Sequence, residues 1–382
     1  MESLGTSDLV ALRRDLHAHP ELAYAEHRTT AVVVDWLTGL GLSPRVLPAG
    51  TGVVCDIGTD GPTVALRADI DALPLVDLKE VPYRSTATGV CHGCGHDAHT
   101  AILLGAAREL ASLDLPGRVR LIFQPAEETV PGGALSVIAD GAMRDVSFIF
   151  ALHCDPRLET GMVGLRPGPI TAACDQVDVL LSGPGGHTAR PHLTVDLVNG
   201  LGRLITDLPG LLSRRVDSRA AVTVTWGSVE AGRGANAIPM AGRLSGTLRV
   251  LDREVWEGAE ALVRELIEQI VAPTQAQAVI KYTQGVPPCD NHPEAVEVQR
   301  SAVIAGLGHE SITETLQSMG GEDFAWYLEH ARGALARLGV RRPGGAAFDL
   351  HQGTFDIDED ALDVGVRYTV ALAETALKAA AG

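Results

Sequence analysis

Apolar positions in the first part of the chain follow two rhythms. Short continuous runs at 63–66 (TVAL), 118–123 and 147–152 are rich in β-branched or aromatic residues, the mark of strands buried in a sheet covered by helices. Elsewhere apolar residues recur every three or four positions. One such segment starts at Thr6 or Ser7, either hydroxyl able to satisfy an orphan amide, runs to 16 and ends at His19-Pro20. A second covers 29–40 and stops at Gly41, and a third covers 100–113. Alternating strands and helices predict an α/β domain.

The rhythm changes near Asp175. DQVDVLLSG alternates with period two, 194–212 is helical, and AAVTVTWGSVE and GRLSGTLRVL alternate again. A long amphipathic helix over 253–271 follows, and QAVIKYTQ closes as a strand. This β-α-β-β-α-β order is the ferredoxin-like split. A domain over 175–285 is therefore expected inside a larger α/β domain built from 1–174 and 286–382. The chain re-enters through the proline-bearing GVPPCDN and ends in a helix over 359–380.

Polar clusters follow the strands of the larger domain. RADIDALP follows TVAL, AEE follows LIFQP, and His153 follows FIFAL. The carboxyl ends of the strands form the ligand crevice of an open α/β sheet, so these groups are expected to converge. The densest stretch is GVCHGCGHDAHTA at 89–101. Cys94 and His96 offer sulfur and nitrogen, Glu127-Glu128 two carboxylates, and His153 and His351 two more imidazoles. That mixture suits zinc, manganese, cobalt or nickel rather than calcium or magnesium. Five protein ligands exceed what one catalytic ion with an open position takes, and they suit two ions sharing a ligand and a water.

Plainer readings exist for the same residues. Cys91 and Cys94 form a C-x-x-C, which could be half of a structural zinc site or a redox pair, but no second C-x-x-C occurs. Glu127-Glu128 alone would be a solvated pair, and His153 alone a partly buried histidine. His17, His19, His92 and His99 read as structural or as supports behind the ligands, and Asp69 and Asp71 as groups that orient ligands.

Composition removes several function classes. The 382 residues carry a formal net charge of −17, a field that repels polyanions, so no nucleic-acid partner is expected. No run of about eighteen uncharged apolar residues occurs, so no membrane span is expected. MESLGTSDLVALRRDL is charged early and lacks the apolar core of a signal peptide. Six cysteines are too sparse for a disulfide framework, which makes a reducing cytoplasm the expected compartment.

Taken in order, HAHPELAYAEHRT, RADIDALP, CHGCGHDAHTA, FQPAEE, ALHCDP, GGHTARPH, NAIP, MGGEDF and LHQGTFDIDEDAL resemble the motifs of the M20 metallopeptidase and amidohydrolase family. The resemblance covers nearly the whole chain and is nearest to the hippurate hydrolase, N-acetyldiaminopimelate deacetylase and auxin-conjugate hydrolase branch. It implies a zinc-exopeptidase-like α/β catalytic domain with two divalent ions (zinc, manganese, cobalt or nickel). Cys94 would bridge them, and His96, Glu128, His153 and His351 would complete the ligand set. Glu127 would be the general base. The inserted domain would be a lid and a homodimer surface, from which His187 and Asn236 reach toward a catalytic site, His187 that of the partner subunit. Asp69 occupies the position of a histidine ligand in peptidase branches, which gives Cys94 more weight. Cys91, Gly93 and GGEDF depart from the methionine, alanine and GSEDF common there, without removing a ligand. The implied reaction is hydrolysis of an N-acyl amino acid to acid and amino acid. Arg249 and His192 are the candidates for substrate binding, Arg249 through a free α-carboxylate. A dipeptidase and a non-catalytic metal-dependent binding protein are the rival readings, and the second has no use for a base beside the metal.

Overall fold

The three apolar runs become strands Thr63–Asp69, Arg118–Gln124 and Val146–Glu159 in the computed structural model, which describes residues 6–381. They lie parallel in the middle of an eight-stranded mixed sheet. Across that sheet the order is Arg45–Val46, Val53–Gly58, Arg118–Gln124, Thr63–Asp69, Val146–Glu159, Arg332–Arg341, Val163–Leu165 and Ile312–Glu314. Every residue of Thr63–Asp69 is buried, so Arg67 and Asp69 need partners inside the protein.

Helices Thr6–Ala18, His96–Leu110 and Ala361–Ala381 pack together over this sheet. Glycines set their closest approach. A Cβ on Gly105 would stand 2.6 Å from Val366 Cγ2, and one on Gly365 2.6 Å from Ile102 Cδ1. The helix expected over 100–113 starts earlier, at His96, so the end of the Cys/His motif is helical rather than a lead-in. Val53–Gly58, the helix Pro293–Gly306 and Arg332–Arg341 are among the elements that went unpredicted. The last reads RGALARLGVR, with few β-branched residues; its pairing with Val146–Glu159 makes it a strand.

The chain divides into two units. One holds the sequence through Gly168, Asp290–Leu316 and everything from Asp323; the other holds Pro169–Cys289 and Gln317–Glu322. The longer elements of the second unit run strand, helix, strand, strand, helix, strand. Its antiparallel sheet has the order Thr223–Ala231, Ala241–Val250, Ala173–Ser182, Gln277–Val286, and helices Leu197–Leu212 and Arg253–Val271 bury apolar stripes. The first of these helices begins after Asp196, whose carboxylate accepts the Asn199 N–H at 3.1 Å, leaving Thr194 outside. Buried Asp175 ties the unit together: it accepts from Trp256 Nε1 at 2.9 Å, from the Gly285 N–H at 2.8 Å and from the Tyr282 hydroxyl. Nothing in the pattern assigned 317–322 to this unit. No helix among the described residues is long and apolar enough to cross a membrane.

Candidate metal centre

The first unit gathers the five predicted ligands at one end of its sheet. Asp69 and Gln124 face each other where two parallel strands end. Ala151 pairs with Arg67, so His153 lies two residues further toward that same end. Cys94 sits in the turn before helix His96–Leu110, and Gly95 takes φ +91 there; a Cβ on it would stand 2.9 Å from Cys154 Sγ. His351 arrives from far along the chain in a left-handed conformation, φ +60, with its N–H donating to the Gly93 carbonyl at 2.8 Å.

Hydrogen bonds orient the imidazoles. His96 Nδ1 donates to the Asp71 carbonyl at 2.9 Å, and His153 Nδ1 to the Cys154 carbonyl at 2.8 Å. A carbonyl only accepts, so Nδ1 carries a proton in both rings and Nε2 is the atom left for a ligand. His153 Nε2 lies 3.4 Å from Cys94 Sγ. Glu128 Oε1 lies 3.3 Å from His351 Nε2 and 3.9 Å from His96 Nε2.

The donor atoms form overlapping triads. Those of Cys94, His96 and His153 lie within 4.8 Å of one another, and so do those of Cys94, Glu128 and His351. The two triads share one sulfur. A third group joins His96 to Glu127 and Glu128. His96 Nε2 and Glu128 Oε1 are buried without a hydrogen-bond partner, each a loss of roughly 1–3 kcal/mol unless something fills the space. Sulfur, imidazole and carboxylate around such orphaned atoms fit a transition metal ion. Burial pushes the Cys94 thiol well above its ordinary pKa, and Glu128 adds to this. Burial opposes charge on His96, but Asp69, Asp71 and Cys94 outweigh it and hold its pKa well above the usual value. A cation entering here displaces those protons.

A buried network backs these donor groups. His99 Nε2 accepts the Cys154 N–H at 2.9 Å, so His99 Nδ1 is the protonated nitrogen that donates to Asp69 at 2.6 Å. Arg67 donates to Asp69 at 2.6 Å, to Gln124 at 2.9 Å and to Asp323 at 2.8 Å. Burial disfavours the Asp69 charge, yet His96, Arg67 and His99 hold its pKa well below the carboxylate range. Asp69 and His99 are legible in the sequence as supports, whereas Arg67 and Asp323 are not. The available signal was an arginine inside a strand buried on both faces.

Asp97, beside His96, anchors to the first helix: Arg13 Nε and His17 Nδ1 each approach it at 2.7 Å. His17 is fully buried, and Asp77 lies 3.3 Å from its Nε2. Burial alone would lower its pKa; the two carboxylates prevail and raise it to about 10, from an ordinary 6.5. A raised folded pKa means the imidazolium stabilises the protein fully below pH 6.5, a contribution lost as pH rises to about 10. In urea titrations His17→Gln should therefore fall closer to wild type as pH rises, the gap narrowing by roughly 2–4 kcal/mol across that window. Parallel curves would mean that His17 is neutral in the folded protein.

The remaining predicted residues lie in the second unit. Gly186–His187 pairs antiparallel with Ala237–Ile238, which sets exposed His187 beside exposed Asn236, and the Thr188 N–H donates to the Asn236 carbonyl at 3.2 Å. His187 Nδ1 accepts the Ala189 N–H at 3.0 Å, so Nε2 carries the proton and can donate. His192 is exposed in the short turn Pro191–Leu193. Arg249 lies on strand Ala241–Val250 and donates to the Met319 carbonyl at 3.1 Å.

Residues 65–375 match the family described as Peptidase family M20/M25/M40. The chain belongs to that family. Its chemistry is hydrolysis of amide bonds. Among its M20 relatives is a Bacillus subtilis (strain 168) protein named N-acetyl-L-cysteine deacetylase, 38% identical over 93% of this chain and 84% of that one. A Rhodococcus jostii (strain RHA1) protein bearing a glutamate–cysteine ligase name is 52% identical over 97% of this chain, which spans only 47% of that protein's length. A solved Bacillus subtilis structure, described as a dinuclear metal binding peptidase of the M20 family, superposes with a TM-score of 0.85 at 34% identity and covers 98% of both chains.

Proposed function

We propose that this M20 protein is a metal-dependent amidohydrolase that splits N-acyl amino acids into a carboxylic acid and an amino acid. The observation that carries the reading is the pair of ligand triads sharing Cys94 Sγ. Cys94, His96 and His153 would hold one divalent ion, and Cys94, Glu128 and His351 the other. When bound, the ions supply Lewis acidity that polarises the scissile carbonyl and acidifies a water. Glu127 takes a proton from the attacking water and passes it to the leaving amine. His187, as an Nε2–H donor, and Asn236 beside it supply hydrogen bonds to the developing oxyanion, His187 from the partner subunit. One such donor is worth roughly 3–4 kcal/mol in the transition state. Arg249 binds the α-carboxylate of the substrate, and His192 is a second substrate-binding residue.

Several observations support finer points. The deacetylase name carried by the Bacillus relative makes N-acetylcysteine the first acyl amino acid to try. A homodimer through the second unit is supported by its exposed apolar side chains Leu180, Val229, Met240 and Val279. Cys55, Cys91, Cys94, Cys154 and Cys174 are thiols rather than disulfide halves, which supports a reducing cytoplasm.

A hydrolysis panel tests the function. Protein loaded in turn with zinc, manganese, cobalt or nickel is offered N-acetyl and N-benzoyl amino acids, N-acetylcysteine among them, beside dipeptides with a free amino group. Amine release from the N-acylated compounds is expected. Turnover of dipeptides alone would make the protein a dipeptidase, and metal binding without any turnover would make it a binding protein.

A further inference from the structure

We infer that Glu26 is a positioning residue for the general base, a role that rests on the function proposed for Glu127. Glu127 stands between two backbone anchors. On one side the Glu128 N–H donates to Asp71 Oδ2 at 2.9 Å. On the other the Ala126 N–H donates to Glu26 Oε1 at 2.8 Å. Ala126 is fully buried and takes φ +58, a left-handed conformation that resists any side chain with a Cβ. The same Glu26 oxygen accepts the Tyr24 N–H at 2.9 Å, and Tyr24 also has a left-handed backbone, φ +61. One carboxylate oxygen therefore holds two unfavourable backbone turns. The Tyr24 hydroxyl then donates to the Gly132 carbonyl at 3.4 Å, reaching the far end of the loop that carries Glu127.

Glu26 does not cap the helix that follows it. It sits at the cap position of helix His27–Gly39 but makes no side-chain cap bond. Glu21 serves that helix instead, accepting the Arg28 N–H at 2.9 Å and the Thr29 N–H at 2.8 Å. The Glu26 side chain is fully buried, and its Oε2 has no hydrogen-bond partner. A buried carboxylate in that state is a liability for stability. What it achieves is the left-handed turn one residue before the base.

The test uses glycine, which adopts a left-handed backbone without penalty. Glu26→Ala should lower kcat by about tenfold or more, with KM and bound metal within about twofold of wild type. Adding Ala126→Gly to Glu26→Ala should restore most of the rate, since the turn then needs no carboxylate. Glu26→Gln keeps the accepting oxygen and should stay within about threefold of wild type. Hydrogen exchange supplies a readout independent of catalysis: amide protection at Tyr24 and Ala126 should fall in Glu26→Ala and persist in Glu26→Gln. Wild-type rate in Glu26→Ala, or a double variant as slow as the single one, would overturn the inference. If Glu26→Ala is insoluble, the double variant should be soluble and active, and its failure counts equally against the inference. An active Glu127→Gln would instead overturn the function assigned to Glu127, leaving the exchange result to stand alone.

Discussion

Glu127→Gln is expected to lower kcat by about a thousandfold while leaving bound metal unchanged. Glu127 Oε2 lies 3.9 Å from His96 Nε2, and the residue groups with His96 and Glu128. It belongs to neither triad that contains Cys94. A carboxylate so placed can take a proton from water without holding an ion. The glutamine keeps its size and polarity but cannot accept a proton at neutral pH. Initial rates on an N-acetyl amino acid, with metal counted by elemental analysis of the same sample, decide the matter. Metal lost together with activity would make Glu127 a ligand.

Cys94→Ser should strip both ions and activity together, because both triads share the one sulfur. Removing a group that merely supports a ligand commonly weakens metal binding about 10–100-fold, and losing a shared ligand should exceed that at both positions. His351→Ala provides the contrast. His351 groups with Cys94 and Glu128, in the triad without His96 and His153, so this variant should release one equivalent and retain the other. Metal titrations of the two variants side by side check the assignment. One equivalent held by Cys94→Ser at wild-type affinity would confine the sulfur to a single ion.

Much of this protein is legible without its structure. The apolar runs at 63–66, 118–123 and 147–152 do become the central parallel strands, because a strand covered on both faces tolerates little else. The long helix Arg253–Val271 has the bounds its amphipathic stripe announces. Arg332–Arg341 is the counterexample, a strand whose own composition argues weakly for one. The five ligand types were readable as chemistry, since thiol, imidazole and carboxylate after successive strand ends point to one crevice.

By itself the chain determined which donors exist and that its strands deliver them to a common end, because burial and backbone periodicity are written locally. Tertiary structure alone decided that His96 and His153 turn Nε2 toward the two triads, and that Arg67 stands behind the predicted ligands and Glu26 behind the predicted base. Those facts depend on contacts between residues up to hundreds of positions apart, such as Arg67 with Asp323 and Glu26 with Ala126. No local pattern encodes which buried charge meets which partner; the packing of the sheet and helices settles it.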